Sequence, residues 1–127
     1  QQASATPAPS ARRVVVRKGE GEHFSYGEHV AKVGGQDLLS KSFTPITLTL
    51  HANDGRRQTL PGEVYLHVLS GTALLHTDIY APLKLNGGDA IFFDGSTEHR
   101  LHAASNEPCT CLMIVSGDEG FWRESSV

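Results

Sequence analysis

The segment from Gly87 to His102, GGDAIFFDGSTEHRLH, constrains the fold of this chain more than any other. Gly87-Gly88-Asp89 offers the positive φ that a tight turn between strands needs. Ala90, Ile91, Phe92 and Phe93 form a β-competent apolar run, and Asp94-Gly95-Ser96-Thr97 is a second turn cluster. His99 then opens another strand with Leu101 on its own face, because strand side chains alternate with period two. That alternation aims the His99 imidazole at the inside of a small barrel, a place suited to a ligand.

The same punctuation runs through the chain. Val14-Val15-Val16 begins the structured part, Gly19 to Glu22 turns it, and residues 24–33 hold one or two short strands broken near Gly27. In Pro45 to His51 (PITLTLH), Ile46, Leu48 and Leu50 share one face while Thr47, Thr49 and His51 share the other. Residues 52–57 read as an exposed loop. Val64 to Leu69 is a strand, Ser70-Gly71 a hairpin turn, and Thr72 to Ile79 the partner strand. Leu83 to Leu85 leads into the opening segment, and Cys109 to Val115 closes the barrel. No window shows helical periodicity longer than a turn. Short strands at regular intervals with glycine punctuation predict an all-β sandwich or small barrel.

Gln1 to Ala11 (QQASATPAPSA) has no apolar periodicity and reads as a disordered linker or arm. The barrel is expected over residues 12–116. A tail follows over residues 117–127, with Phe121 and Trp122 in a short helix or a packing strand. A chain of 127 residues is long enough for one apolar core without disulfide or metal staples. A net charge of −3 with interspersed signs does not drive nucleic-acid binding by this segment. No apolar run is long enough to span a bilayer, so no membrane partner is expected. Cys109 and Cys111 point to one face of a strand, as buried thiols or as a thiolate pair holding a soft metal with a histidine. The absence of a cysteine framework fits a reducing, cytoplasmic setting.

These residues resemble the cupin superfamily from about Arg12 to Val115. They are most similar to the cupin sensor domain behind an Xre/Cro-type helix-turn-helix in bacterial transcription regulators. Val15 to Gly21 matches the Val-Val-Arg-Arg-Gly-Glu-Gly-like opening strand of that family, so a strand is expected from the Val14-Val15-Val16 run. Gly62 to Gly71 (GEVYLHVLSG) matches its first core motif, and Gly87 through Phe93-Asp94 to His99-Arg100 matches its second. The resemblance implies a cupin fold, a double-stranded β-helix barrel of two antiparallel sheets. It also implies a homodimer that packs outer sheet faces or exchanges N-terminal strands.

Metal-binding cupins hold their ion with a His-x-His pair, a nearby glutamate and the histidine of the second motif. Here the glutamate position is Val64, and Glu63 beside it faces the other way. The paired histidines fall at Gln58 and Leu60, or at Arg57 and Thr59. Only His99 remains, so no metal cofactor is expected. A rearranged divalent site would draw on His99, His67 or His51, although alternation turns His67 away from the position of Val64 and His102 away from His99.

Two functions from different classes follow. The first is a small-molecule sensor whose effector enters the barrel mouth and contacts His99, Tyr65, Gln58 and the Phe93 region, with Arg57 or Arg56 placed to clamp a carboxylate. Residues 1–11 would then link to a DNA-binding helix-turn-helix not in this chain. The second is a stand-alone isomerase, dioxygenase or lyase acting on a small polar metabolite through a rearranged metal site. A cupin kept only for oligomerisation is the blander reading, with His99 bonded to a neighbouring acceptor. No Ser/His/Asp, Cys/His or paired-carboxylate constellation for catalysis is visible. Asp89 and Asp94 are read as turn supports.

Overall fold

The computed structural model describes residues 13–26, 29–34, 42–52 and 57–117. The arm over residues 1–11, the boundary at Arg12 and nearly all of the tail over 117–127 lie outside the described residues. Nine strands are formed and no helix occurs among the described residues: β1 (Glu22–Tyr26), β2 (His29–Val33), β3 (Phe43–Leu50), β4 (Glu63–Ser70), β5 (Thr72–Thr77), β6 (Leu83–Asn86), β7 (Ala90–Asp94), β8 (His99–Ala103) and β9 (Cys109–Ser116). They make a six-stranded sheet in the order β1-β2-β3-β9-β4-β7 and a three-stranded sheet in the order β6-β5-β8. Every strand pair is antiparallel.

Alternation builds the core between the two sheets. On β3, Ile46, Leu48 and Leu50 are fully buried while Thr47 is exposed. On β9, Cys109, Cys111, Met113 and Val115 point inward against them. Because β9 is central, its outward residues Leu112 and Ile114 are also half-buried, which explains its unbroken apolar run. Ala73, Leu75, Leu85, Leu101 and Ala103 supply the facing layer from the small sheet. Each such Leu or Ile removed from water contributes about 1.5–3 kcal/mol.

Two expectations are corrected. Ser70-Gly71 does not close a hairpin: β4 pairs with β7 and β9, whereas β5 pairs with β6 and β8. The turn carries the chain from one sheet to the other. Gly71 makes this crossing possible, with φ of +84° and its α-carbon packed so closely that an added Cβ would lie 3.0 Å from Cys109 Cα and the Pro108 carbonyl. Val14 to Val16, in turn, form no strand; their side chains are exposed and no ladder recruits them.

The two aspartate turns behave as the sequence implies. Asn86 N–H donates to Asp89 Oδ2 at 2.8 Å, and Ser96 Oγ donates to Asp94 Oδ1 at 3.1 Å. Gly88 in the first turn also has positive φ, but open space surrounds it. Replacing Gly88 with Ala is therefore expected to cost about 1 kcal/mol. Gly71→Ala, which adds backbone contact to the same strain, is expected to cost about 3 kcal/mol. Urea denaturation of the two variants measures the difference; equal losses would contradict the sheet-crossing role of Gly71.

Candidate functional site

The site is organised by residues 57–62, which lie across the turn between β7 and β8. Gln58 and His99 exchange both backbone bonds, Gln58 N–H to the His99 carbonyl at 2.7 Å and His99 N–H to the Gln58 carbonyl at 3.0 Å. Leu60 N–H donates to the Gly95 carbonyl at 2.8 Å, and Gly95 N–H donates to the Gly62 carbonyl at 2.9 Å. Gly95 is buried there because nothing larger fits: an added Cβ would sit 2.8 Å from Leu60 Cβ, from Val64 Cγ2 and from the Gly62 carbonyl.

Directly paired strand residues share a face, so Gln58, His99 and Thr77 form one row toward the interior. His99 is fully buried. Its Nδ1–H donates to the Thr97 carbonyl at 2.9 Å, which places the lone pair of the neutral ring on Nε2. Phe93 meets the imidazole edge-on with ring centroids 5.0 Å apart. Burial holds the His99 pKa below its usual 6.5, against the smaller opposing effect of the Thr97 carbonyl.

In front of Phe93 lies an open cleft of about 600 Å³, between β5, the loop over residues 79–81, β6 and the edge strand β7. Leu75, Ile79, Leu83, Ile91 and Phe93 make its walls largely apolar, and Thr77, Thr97 and Asp94 add hydrogen-bonding groups at one end. Phe92 and Tyr80 stand at its rim, both more than three-quarters exposed. Such a lining suits a small, mostly apolar molecule with one polar end.

The sequence-derived site residues divide. Gln58, His99 and Phe93 come together. Tyr65 does not join them: it shares the outward face of the large sheet with His67 and Phe92. There its hydroxyl bonds His67 Nδ1 at 2.9 Å and its ring packs on Phe92 at 4.8 Å. Arg57 is exposed and engaged with Asp78 at 2.6 Å and Glu98 at 3.5 Å, so it ties the rim together instead of reaching inward. Its pKa is raised by the hydrogen bond and charge of Asp78. Arg56 lies outside the described residues. His51 is exposed beyond the end of β3. Nothing in the local pattern marks Thr77 or Thr97 as lining residues; the pairing of β5 with β8 is what brings Thr77 beside His99.

A cupin metal does not fit this interior. The ligand places that the resemblance implies hold Val64, His99 and, because Gln58 pairs with His99, Gln58 and Leu60 in preference to Arg57 and Thr59: one amide, two hydrocarbons and one imidazole. Leu60 and Val64 are buried against Gly95. Among the described residues no three His, Cys, Asp or Glu side chains gather. Cys109 and Cys111 are buried with sulfurs 3.7 Å apart. Burial raises both thiol pKa values, which keeps them neutral and unlike the thiolates that bind soft metals. No helix among the described residues is long and apolar enough to cross a membrane.

The family model described as the cupin domain matches residues 47–115. Among solved structures, the chain is similar to the cupin domain of an XRE family transcriptional regulator from Enterobacter cloacae, at 15% identity and TM-score 0.62, covering 72% of this chain and 98% of that one. It is also similar to a cupin 2 conserved barrel domain protein from Salinispora arenicola, at 9% identity and TM-score 0.64, covering 91% and 95%. A third likeness is to an HTH_3 family transcriptional regulator from Vibrio cholerae, at 20% identity and TM-score 0.52, covering 70% of this chain and 52% of that one. Identities this low show the fold alone. No curated protein matches the sequence.

The pKa of His99 generates a prediction. In the unfolded chain His99 titrates near 6.5, and in the folded chain lower, so between those values the unfolded state binds more protons. Stability is therefore full above about pH 6.5 and declines as pH falls below it. Urea denaturation across this range should show a smaller decline for His99→Gln than for the parent chain. An identical decline would mean that His99 is not held neutral by the fold.

Proposed function

Because the chain belongs to the cupin family, we propose that its barrel is the small-molecule-sensing domain of a bacterial transcription regulator. The observation that carries this reading is the apolar cleft of about 600 Å³ beside a ligand-poor interior. The effector seats its apolar body on Ile91, Phe93 and Leu75 and its polar end on Thr77, Thr97 or Asp94. His99 supports the Phe93 wall from behind. Likeness to two regulators agrees with this reading. A cupin enzyme would need metal donors or an acid–base pair next to the cleft, and Asp94, engaged with Ser96, is the one carboxylate among its lining residues.

The signal passes through Phe92, which stands at the rim of the cleft and whose ring packs on Tyr65. Tyr65, Phe92, Leu112, Ile114 and Phe43 share the outward face of the large sheet, with Ile114 across from both Tyr65 and Pro45. This face forms a homodimer interface, and an effector that shifts Phe92 biases one dimer geometry over another. It does so only by binding the two geometries with different affinity. DNA-reading heads attached outside this chain would be repositioned in turn.

A thermal-shift screen of the tag-free chain against small amphipathic metabolites tests the proposal, since a ligand of the folded state raises its apparent stability. At least one compound is expected to stabilise the chain, and its affinity should fall about tenfold or more in Phe93→Ala and in Thr97→Val. Ser70→Ala, away from the cleft, should bind as the parent does. The proposal fails if no compound stabilises the chain, or if the stabilising compound binds Phe93→Ala and Thr97→Val normally.

A further inference from the structure

The outward face of the small sheet carries a pair of histidines unrelated to the cleft. His76 on β5 and His102 on β8 bring their Nε2 atoms to 2.8 Å, with ring planes 13° apart. Both side chains are half-buried. The pair is set by register: Leu74 lies opposite His102 and Arg100 opposite His76, so the histidines meet on the diagonal. His102 Nδ1–H donates to the Ala103 carbonyl at 2.9 Å. That bond fixes the tautomer of His102 and directs its Nε2 lone pair at His76, which must supply the proton of the contact.

A metal-binding histidine has the same arrangement, one ring nitrogen anchored on a carbonyl and the other offered as a donor. The geometry points to a divalent transition-metal site formed by His76 Nε2 and His102 Nε2 on the outer face of the β5–β8 ladder. Two nitrogens each about 2.0–2.1 Å from an ion and at a right angle lie about 2.9 Å apart, whereas a tetrahedral ion needs about 3.3 Å. A small pivot of His76 brings the nitrogens from 2.8 Å to either spacing, and of the divalent ions that suit imidazole Cu²⁺ binds most tightly. On binding, the proton of His76 moves from Nε2 to Nδ1, both rings stay neutral, and the His76 ring pivots while His102 keeps its bond to Ala103. The remaining positions of the ion stay open to water or another ligand. Arg100 on β8 and Lys84 on β6 face the same side, so the site competes with nearby positive charge and holds its ion less tightly than a closed four-ligand site.

The test is titration of the tag-free, chelator-stripped chain with Cu²⁺, followed by calorimetry and by electron paramagnetic resonance. One ion per chain with nitrogen coupling is expected. Its affinity should fall about tenfold or more in His76→Ala and in His102→Ala, and stay unchanged in His67→Ala. Circular dichroism of both variants confirms that they keep the β-sheet fold, and His76→Gln serves as a milder variant if His76→Ala does not. No binding, or binding that both variants leave intact, overturns the site. Loss in His99→Gln alone would place the ion in the interior and overturn it equally. The outcome is independent of the effector screen, because no residue is shared with the cleft.

Discussion

Four backbone hydrogen bonds between residues 58–62 and residues 95–99 decide what the interior of this barrel can do. They press Gly95 onto Leu60 and Val64 and place Gln58 and His99 side by side. Once that strap is down, the end of the barrel is closed by hydrocarbon, and the His99 imidazole, the one fully buried among the described residues, is held neutral against the Thr97 carbonyl and the Phe93 ring. The open cleft lies on the other side of Phe93, between the edge strands β6 and β7 of the two sheets.

The chemistry follows from that division of space. A divalent ion needs several donors converging on one point, and here two of the four positions are aliphatic. A small apolar molecule needs a walled, partly dry surface with few polar groups, and the cleft has this character. Phe92 connects the cleft to the outward face of the large sheet, where Tyr65 and His67 bond to each other. The binding surface and the proposed dimer surface therefore share one edge strand, β7, so no long relay between them is required.

Much of this was legible in the residues. Period-two alternation alone places Ile46, Leu48 and Leu50 in the core, His99 beside Leu101, and both cysteines on one face. The same rule separates Tyr65 from Val64, so the inward role expected for Tyr65 conflicts with a signal already present. Other features depend on pairing between distant segments. Ser70-Gly71 reads the same whether it joins two strands of one sheet or passes between sheets, and only the ladders of β4 with β9 and β5 with β8 settle it. Thr77 beside His99 and His76 beside His102 are likewise products of register, and residues that far apart carry no local mark of contact.

We propose that the interior, with its buried neutral histidine, takes up no transition metal. Elemental analysis of the tag-free chain carrying His76→Ala and His102→Ala, which takes the outer histidines out of play, tests it most directly. Transition metal far below one ion per chain, unchanged by adding His99→Gln, is the predicted result. One ion per chain that disappears with His99→Gln would contradict the account.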